Sequence, residues 1–210
     1  TRSAHGIVLT GAANNTVSEN IVRDCSYVGI LIWQSGNNIL RNNVMINNTY
    51  NFGLWSEPYV NEPYYGLLND VDVSNTVNGK PVYYWIDEHD ADIPHDAGTV
   101  ILINCTNIRM DNLALGNNLQ GAYLYYSNDC TISRSNITRT GTESYYGGGV
   151  VLRYSSGNSI SENYFGNRNY YDVNIYSSNN NNVSKNIIRD SDNTGIYVIQ
   201  NSNSNRICEN

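Results

Sequence analysis

Phenylalanine occurs twice in the 210 residues, methionine twice and proline four times. Charge is scarce too: 15% of residues are Asp, Glu, Lys or Arg, against about 25% in an ordinary soluble domain. The 12 basic and 19 acidic side chains leave a net charge of −7 with no basic cluster, which excludes nucleic acid as a partner. No run approaches the ~18 apolar residues of a membrane span, so membrane insertion is not expected. The three histidines and two methionines are scattered, which does not suit copper delivery. No apolar pattern of 3.6 residues is sustained, so helices are not expected.

What the chain has is asparagine, 36 residues, and tyrosine, 18. Its 40% hydrophobic content is enough for a core and argues against disorder. A phrase recurs: Gly6-Ile7-Val8-Leu9, Gly29-Ile30-Leu31-Ile32, Gly121-Ala122-Tyr123-Leu124, Gly149-Val150-Val151-Leu152, Gly195-Ile196-Tyr197-Val198. Gly6 to Gly29 is 23 residues, as is Val150 to Val173. Apolar residues alternate within each phrase, a period of two that marks strands. Short strands in a repeat of ~23, separated by Asn/Gly/Ser turns, predict an all-β, right-handed single-stranded parallel β-helix of about 8–9 coils spanning 1–210. An asparagine column at 20, 42, 163, 186 and 210 is expected to form an amide ladder between coils and to close turns.

These phrases, with Asn78-Gly79-Lys80-Pro81-Val82-Tyr83-Tyr84-Trp85 and the segment from Asp96 to Asn107, resemble the NosD-like repeats, also called carbohydrate-binding and sugar-hydrolase repeats, particularly archaeal cell-surface members. The resemblance implies a right-handed parallel β-helix of the pectin-lyase kind. It carries little about a site, because the repeats encode coils.

Three stretches interrupt the period, near 56–68, 86–97 and 138–148, and are expected to be insertions. The second carries Asp87, Glu88, His89, Asp90, Asp92, His95 and Asp96, a set that either holds Ca²⁺ or a transition metal or is a solvated acidic loop. No other cofactor is expected. If Ile30, Ile32, Leu124, Leu152, Ile175, Ile196 and Val198 point inward, Leu31, Trp33, Trp55, Ile101, Ile103, Tyr123, Tyr125, Val151, Arg153, Tyr176, Tyr197 and Ile199 point outward. Such an aromatic outer column suits a polysaccharide or another protein chain, unless the insertions cover it.

No acidic residue follows that column at Thr10, Gln34, Asn104, Tyr126, Tyr154, Ser177 or Gln200, so no residue is assigned a catalytic role. Cys105 and Cys130 lie 25 residues apart, close enough to one coil for a disulfide, whereas Cys25 and Cys208 could pair only between chains. Five N-x-S/T sequons begin at Asn14, Asn47, Asn104, Asn136 and Asn182. The sequence enters a repeat by Gly6 and stops in mid-repeat at Asn210, as a fragment or uncapped unit of a longer assembly would. The expectation is a non-catalytic extracellular or cell-surface structural or adhesive protein, self-assembling as a sheath, surface layer or filament. Its partners would be other copies, neighbouring surface proteins or polysaccharide. The alternatives are a carbohydrate-binding or carbohydrate-active β-helix and a NosD-like periplasmic accessory protein.

Overall fold

The computed structural model describes residues 2–55, 65–141 and 147–210. Much of the expected insertions near 56–68 and 138–148 therefore lies outside the described residues. Strands dominate, in coils that stack through parallel pairing with equivalent residues in register: Leu102, Leu124, Leu152 and Ile175, all buried, then Val198, which the sequence placed inward but which is 37% exposed on the last strand of this sheet. This is the expected parallel β-helix.

Each coil must turn sharply at its corners, and a left-handed αL residue does it. One corner carries Gly11, Gln34, Asp87, Asn104, Tyr126, Tyr154, Ser177 and Gln200, all with φ between 46° and 58°. Asn14, Asn37, Asn42, Asn47, Asn107, Asn112 and Asn117 turn the others. Outside glycine, αL costs roughly 1–2 kcal/mol, and asparagine tolerates it best because its short amide bonds locally.

The residue after such a corner often faces inward as the ladder. The Asn15 amide donates to Asn38 Oδ1 at 3.0 Å, and the Asn38 amide to Asn69 Oδ1 at 3.0 Å. A second ladder runs from Asn20 through Asn43 to Asn75, and others link Asn158, Asn181 and Asn205 and Asn163, Asn186 and Asn210. Each Oδ1 also accepts the backbone N–H of the coil before it, as Asn43 does from Asn20. The expected column is therefore corrected at one position. Asn42 is an exposed αL corner, and its neighbour Asn43 is the buried ladder amide. The Asn-Asn doublets at 14–15, 37–38, 42–43, 47–48, 117–118 and 180–181 each join a turn-former to an inward-facing amide.

The coils do not form one straight column. Strands Thr76–Val77 and Lys80–Ile86 pair antiparallel around Asn78-Gly79, whose φ values of 49° and 80° suit a tight hairpin. A nine-stranded sheet runs through this hairpin, parallel on either side of it. Strand direction reverses there while the sheet keeps growing the same way. Two coils of one hand must then lie on opposite faces of the shared sheet. The packing agrees: Val82 and Tyr84 join the core of Ile30, Leu40 and Met45, whereas Tyr83 joins Val100, Leu102 and Leu124. An N-terminal stack thus occupies one face and a C-terminal stack the other.

A second seam locks the stacks. The N-terminal sheet ends at strand Tyr50–Trp55, and the turn before Gln120 covers its free edge. Asn51 N–H donates to Asn117 O (2.7 Å) and Leu119 N–H to Phe52 O (2.9 Å), while the Gln120 amide accepts from Leu54 N–H and donates to Leu54 O. Gly53 is needed at this seam, since a Cβ there would lie 2.1 Å from Leu119 Cδ1.

The stretch near 86–97 is corrected from insertion to coil. His89–Asp92 is the first strand of a six-stranded sheet and pairs with Thr106–Asp111. Asn43→Ala would strip partners from Asn20, Asn75 and Val17, and should cost about 2–3 kcal/mol in denaturant unfolding. Asn42→Gly, on the exposed αL corner, should be neutral within about 0.5 kcal/mol.

Candidate functional site

The expected outward column is largely core. Tyr123 and Arg153 are each 1% exposed and Tyr125 4%, and Leu31, Ile101, Ile103 and Val151 are buried as well. The correction follows from the shared sheet. The outer face of the C-terminal stack is the inner wall of the N-terminal one, and Ile101, Ile103, Tyr123, Tyr125 and Val151 pack with Ile32, Leu54 and Tyr84. The aromatic stripe fills a core between two stacks, where its apolar area has a packing role. The Arg153 guanidinium lies over the Tyr176 ring, 4.6 Å from its centroid.

Five members of the column remain partly exposed, Ile199 among them. Trp33 and Trp55 stack at 4.9 Å and 16° on the N-terminal stack, and Trp55 packs beside Leu31 and Leu119. Tyr197 stacks on Tyr171 at 4.9 Å, and Tyr176 meets Tyr154 edge-on at 5.9 Å.

The surface aromatics best placed for a ligand are two that the alternation did not select, Tyr126 and Tyr154. Both occupy the αL corner, at φ 50° and 51°, where other coils carry Gly, Gln, Asp, Asn or Ser. They stack at 5.0 Å and 13°, half-buried, with Tyr125 edge-on to both at 5.1 and 5.6 Å. A bulky residue in αL is uncommon, and held strain of this kind clusters at functional sites. Burial, and then the neighbouring Tyr125 and Tyr176, push the Tyr154 hydroxyl up to about 12, so it stays neutral across physiological pH. The result is an uncharged, hydroxyl-bearing platform of two half-exposed rings stacked on each other. Its sequence signal was an aromatic at a turn position in two successive coils.

Below the same corner the stacks leave a groove of about 540 Å³. Ile39, Leu68, Val71, Tyr84 and Ile86 give it apolar walls, and Asn37, Asn69, Asp70 and Asp87 give it polar ones. Arg41 pairs with both Asp70 and Asp72.

The acidic run does not assemble a metal centre: among the described residues no three His, Cys, Asp or Glu side chains converge on a site for an ion. As a strand and its flanks, the run sends its members to separate partners. Asp87 accepts from the Asn104 amide and Asp90 from the Asn107 amide, each at 2.6 Å. His89 Nδ1 meets Asp90 at 3.0 Å, Asp92 faces Arg109 at 4.0 Å and His95 Nδ1 reaches Asp111 O at 3.0 Å. Asp96 accepts the Tyr83 hydroxyl at 2.9 Å, and Glu88 O accepts Thr106 N–H. The bonds from Asn107 and His89 hold the Asp90 carboxyl below its usual range.

All four cysteines are free thiols. The expected Cys105–Cys130 bond is absent because the two occupy different columns: Cys105 N–H donates to Ser127 Oγ, whereas Cys130 N–H donates to Asn158 Oδ1. Cys25 is buried, with its N–H on Asn48 Oδ1, and Cys208 is partly exposed on the last strand. Burial pushes the Cys130 thiol up to about 11, so it is an inert core group. Asn14, Asn47, Asn104 and Asn136 of the sequons are exposed, and Asn182 is half-buried, its amide on Ser184 Oγ.

One carboxyl lies inside a coil. Asp172 is fully buried, accepting from the Asn169 amide at 2.7 Å and from the Ser191 hydroxyl. Asn51 stands in the same place in the N-terminal stack, accepting from the Asn48 amide three residues earlier. Burial raises the Asp172 pKa, with the Ser191 and Asn169 bonds opposing it. Sealed from solvent, it supports the coil and reaches no substrate.

Two stacks of parallel coils around continuous apolar cores define a β-helix protein. The chain belongs to the right-handed β-helix family: the family described as right handed beta helix region matches residues 1–78 and 89–210. The unmatched decade, 79–88, contains the whole of strand Lys80–Ile86, which reverses direction between the stacks. Searches of curated proteins and of solved structures return no match.

Two outcomes are expected. Tyr125→Ala should cost about 3–5 kcal/mol in unfolding experiments, the loss for a large core aromatic, where a surface contact would cost little. Asp172→Asn should raise the melting temperature at pH 7. The folded carboxyl binds its proton more tightly than the unfolded one, so the buried charge destabilises increasingly as pH rises from about 4. The advantage of the variant should therefore vanish below pH ~3.5 in a thermal-melt series.

Proposed function

We propose that this protein is a non-catalytic, cell-surface adhesive β-helix that holds glycan chains against the Tyr126–Tyr154 corner. The observation that carries the reading is the stacked, half-exposed tyrosine pair held in αL. Flat aromatic faces with polar tips match the apolar faces and hydroxyl rims of sugar rings. An uncharged platform suits a neutral polysaccharide.

The make-up of the corner favours binding over glycoside cleavage in this reading. General acid/base work needs two carboxylates a few ångströms apart across the bond. Among the described residues of this corner column Asp87 is the one carboxylate, and it already accepts from Asn104. An extracellular setting is favoured by four exposed sequon asparagines and by scarce charge. The likeness of the repeats to NosD-like, sugar-associated and archaeal surface proteins points the same way. Other copies of the chain are the natural neighbours of such an adhesive scaffold.

A glycan array probed with the wild type and with Tyr126→Asn and Tyr154→Ser tests the reading. The replacements occur in the same column at Asn104 and Ser177, so the coil should fold and the αL strain should fall. Each variant should lose about tenfold or more in affinity while melting no lower than the wild type. Binding to no polysaccharide, or equal binding by the double variant, would sink the proposal.

A further inference from the structure

The groove between the stacks is built around an unfinished sheet. Strand Asp70–Val71 is the outermost of three in its sheet, after Thr16–Ser18 and Ile39–Arg41. Asp70 N–H donates inward, to Asn38 O at 2.9 Å. Successive residues of a strand point their backbone groups to opposite sides, so the Val71 N–H and C=O face the groove. The amide ladder of the same corner also stops here: Asn69 accepts from Asn38, and its own N–H turns back to Leu67 O. Over this edge stands a wall from the other stack, Tyr84 and Ile86, with Ile39 at 42% exposure alongside.

In every lower coil, the place above such an edge is taken by the next strand in parallel register. In the groove that place is bounded by an apolar wall and measures about 540 Å³, room for a short extended segment. Open strand edges bind added strands through main-chain hydrogen bonds, with side-chain pockets supplying selectivity.

We infer that this groove takes an extended peptide by strand addition onto the Asp70–Val71 edge. The strand would run parallel to Asp70–Val71, as each coil does to the one before it. An asparagine in the peptide would continue the ladder above Asn69. An apolar residue two positions later would meet the cavity beside Val71 and Tyr84, the pattern of Asn38 and Leu40 in the coil below. The site is separate from the tyrosine platform and does not depend on it.

The probe is a synthetic peptide with the sequence of residues 35–43, whose Asn38–Leu40 spacing supplies that pattern. It is fluorescently labelled and titrated into the whole protein, with a scrambled peptide as control. The expected result is saturable binding, with slower hydrogen exchange at the Val71 amide in the complex. Ile39→Lys, at an exposed position, should weaken binding about tenfold or more with an unchanged melt. Peptides N-methylated at alternate amides should differ, because only one set faces the protein. Failure to bind, equal binding of the scrambled peptide, or indifference to N-methylation in both sets would overturn the inference.

Discussion

A parallel coil of about 23 residues must turn sharply several times and bury the backbone at each corner without leaving polar groups unpaired. Everything else in this molecule depends on how that constraint is met. Asparagine meets it twice over, as the αL turn-former outside and as the ladder amide inside, often in adjacent positions such as Asn42 and Asn43. The inner amides accept the backbone N–H of one coil and donate onward to the next, so the corners become hydrogen-bonded columns. Serine and cysteine take the same inward place in some coils, as Ser127 and Cys130 do. This accounts for a chain so rich in amides and poor in charge. A buried charge would need a partner at every rung, and a buried amide finds one in its own copy.

The hairpin at Asn78-Gly79 imposes a second constraint. It reverses the strand without ending the sheet, and coils of one hand must then change faces. One sheet serves two cores. Its alternating residues divide cleanly, with Leu102, Leu124 and Leu152 on one side and Ile101, Ile103, Tyr123 and Tyr125 on the other. Surfaces that would be the outside of a single β-helix are consumed as interior. Of the accessible surface that remains, the tyrosine pair lies at a corner and the unfinished strand edge at the seam.

Much of the coil was legible in the residues themselves. Alternation located the strands, the period located the coils and the asparagines located the corners. The misplacement of Asn42 for Asn43 shows the limit, since in an Asn-Asn doublet composition does not say which amide faces in. The acidic run from Asp87 to Asp96 looked like an interruption because charge hid its pairing with Thr106–Asp111. Cys105 and Cys130 were close to one coil apart in number, yet the coil above Cys105 closes at Ser127, and Cys130 falls beyond it in the next column.

The candidate site was less legible, for a physical reason. Alternation says which residues share a face of a strand, and it says nothing about what covers that face. Tyr123, Tyr125 and Arg153 do share a face, as expected, and a second stack of coils lies against it. Tyr126 and Tyr154 stand out in the sequence only as non-acidic positions after the column, because turn positions are outside the period-two pattern. Local sequence thus determined the β-helical coil, its corners and its amide columns, because those rest on interactions between residues one repeat apart. Only the tertiary structure decided which outer faces remain outer, because a two-residue hairpin turned the chain over and brought together surfaces that the repeat treats as unrelated.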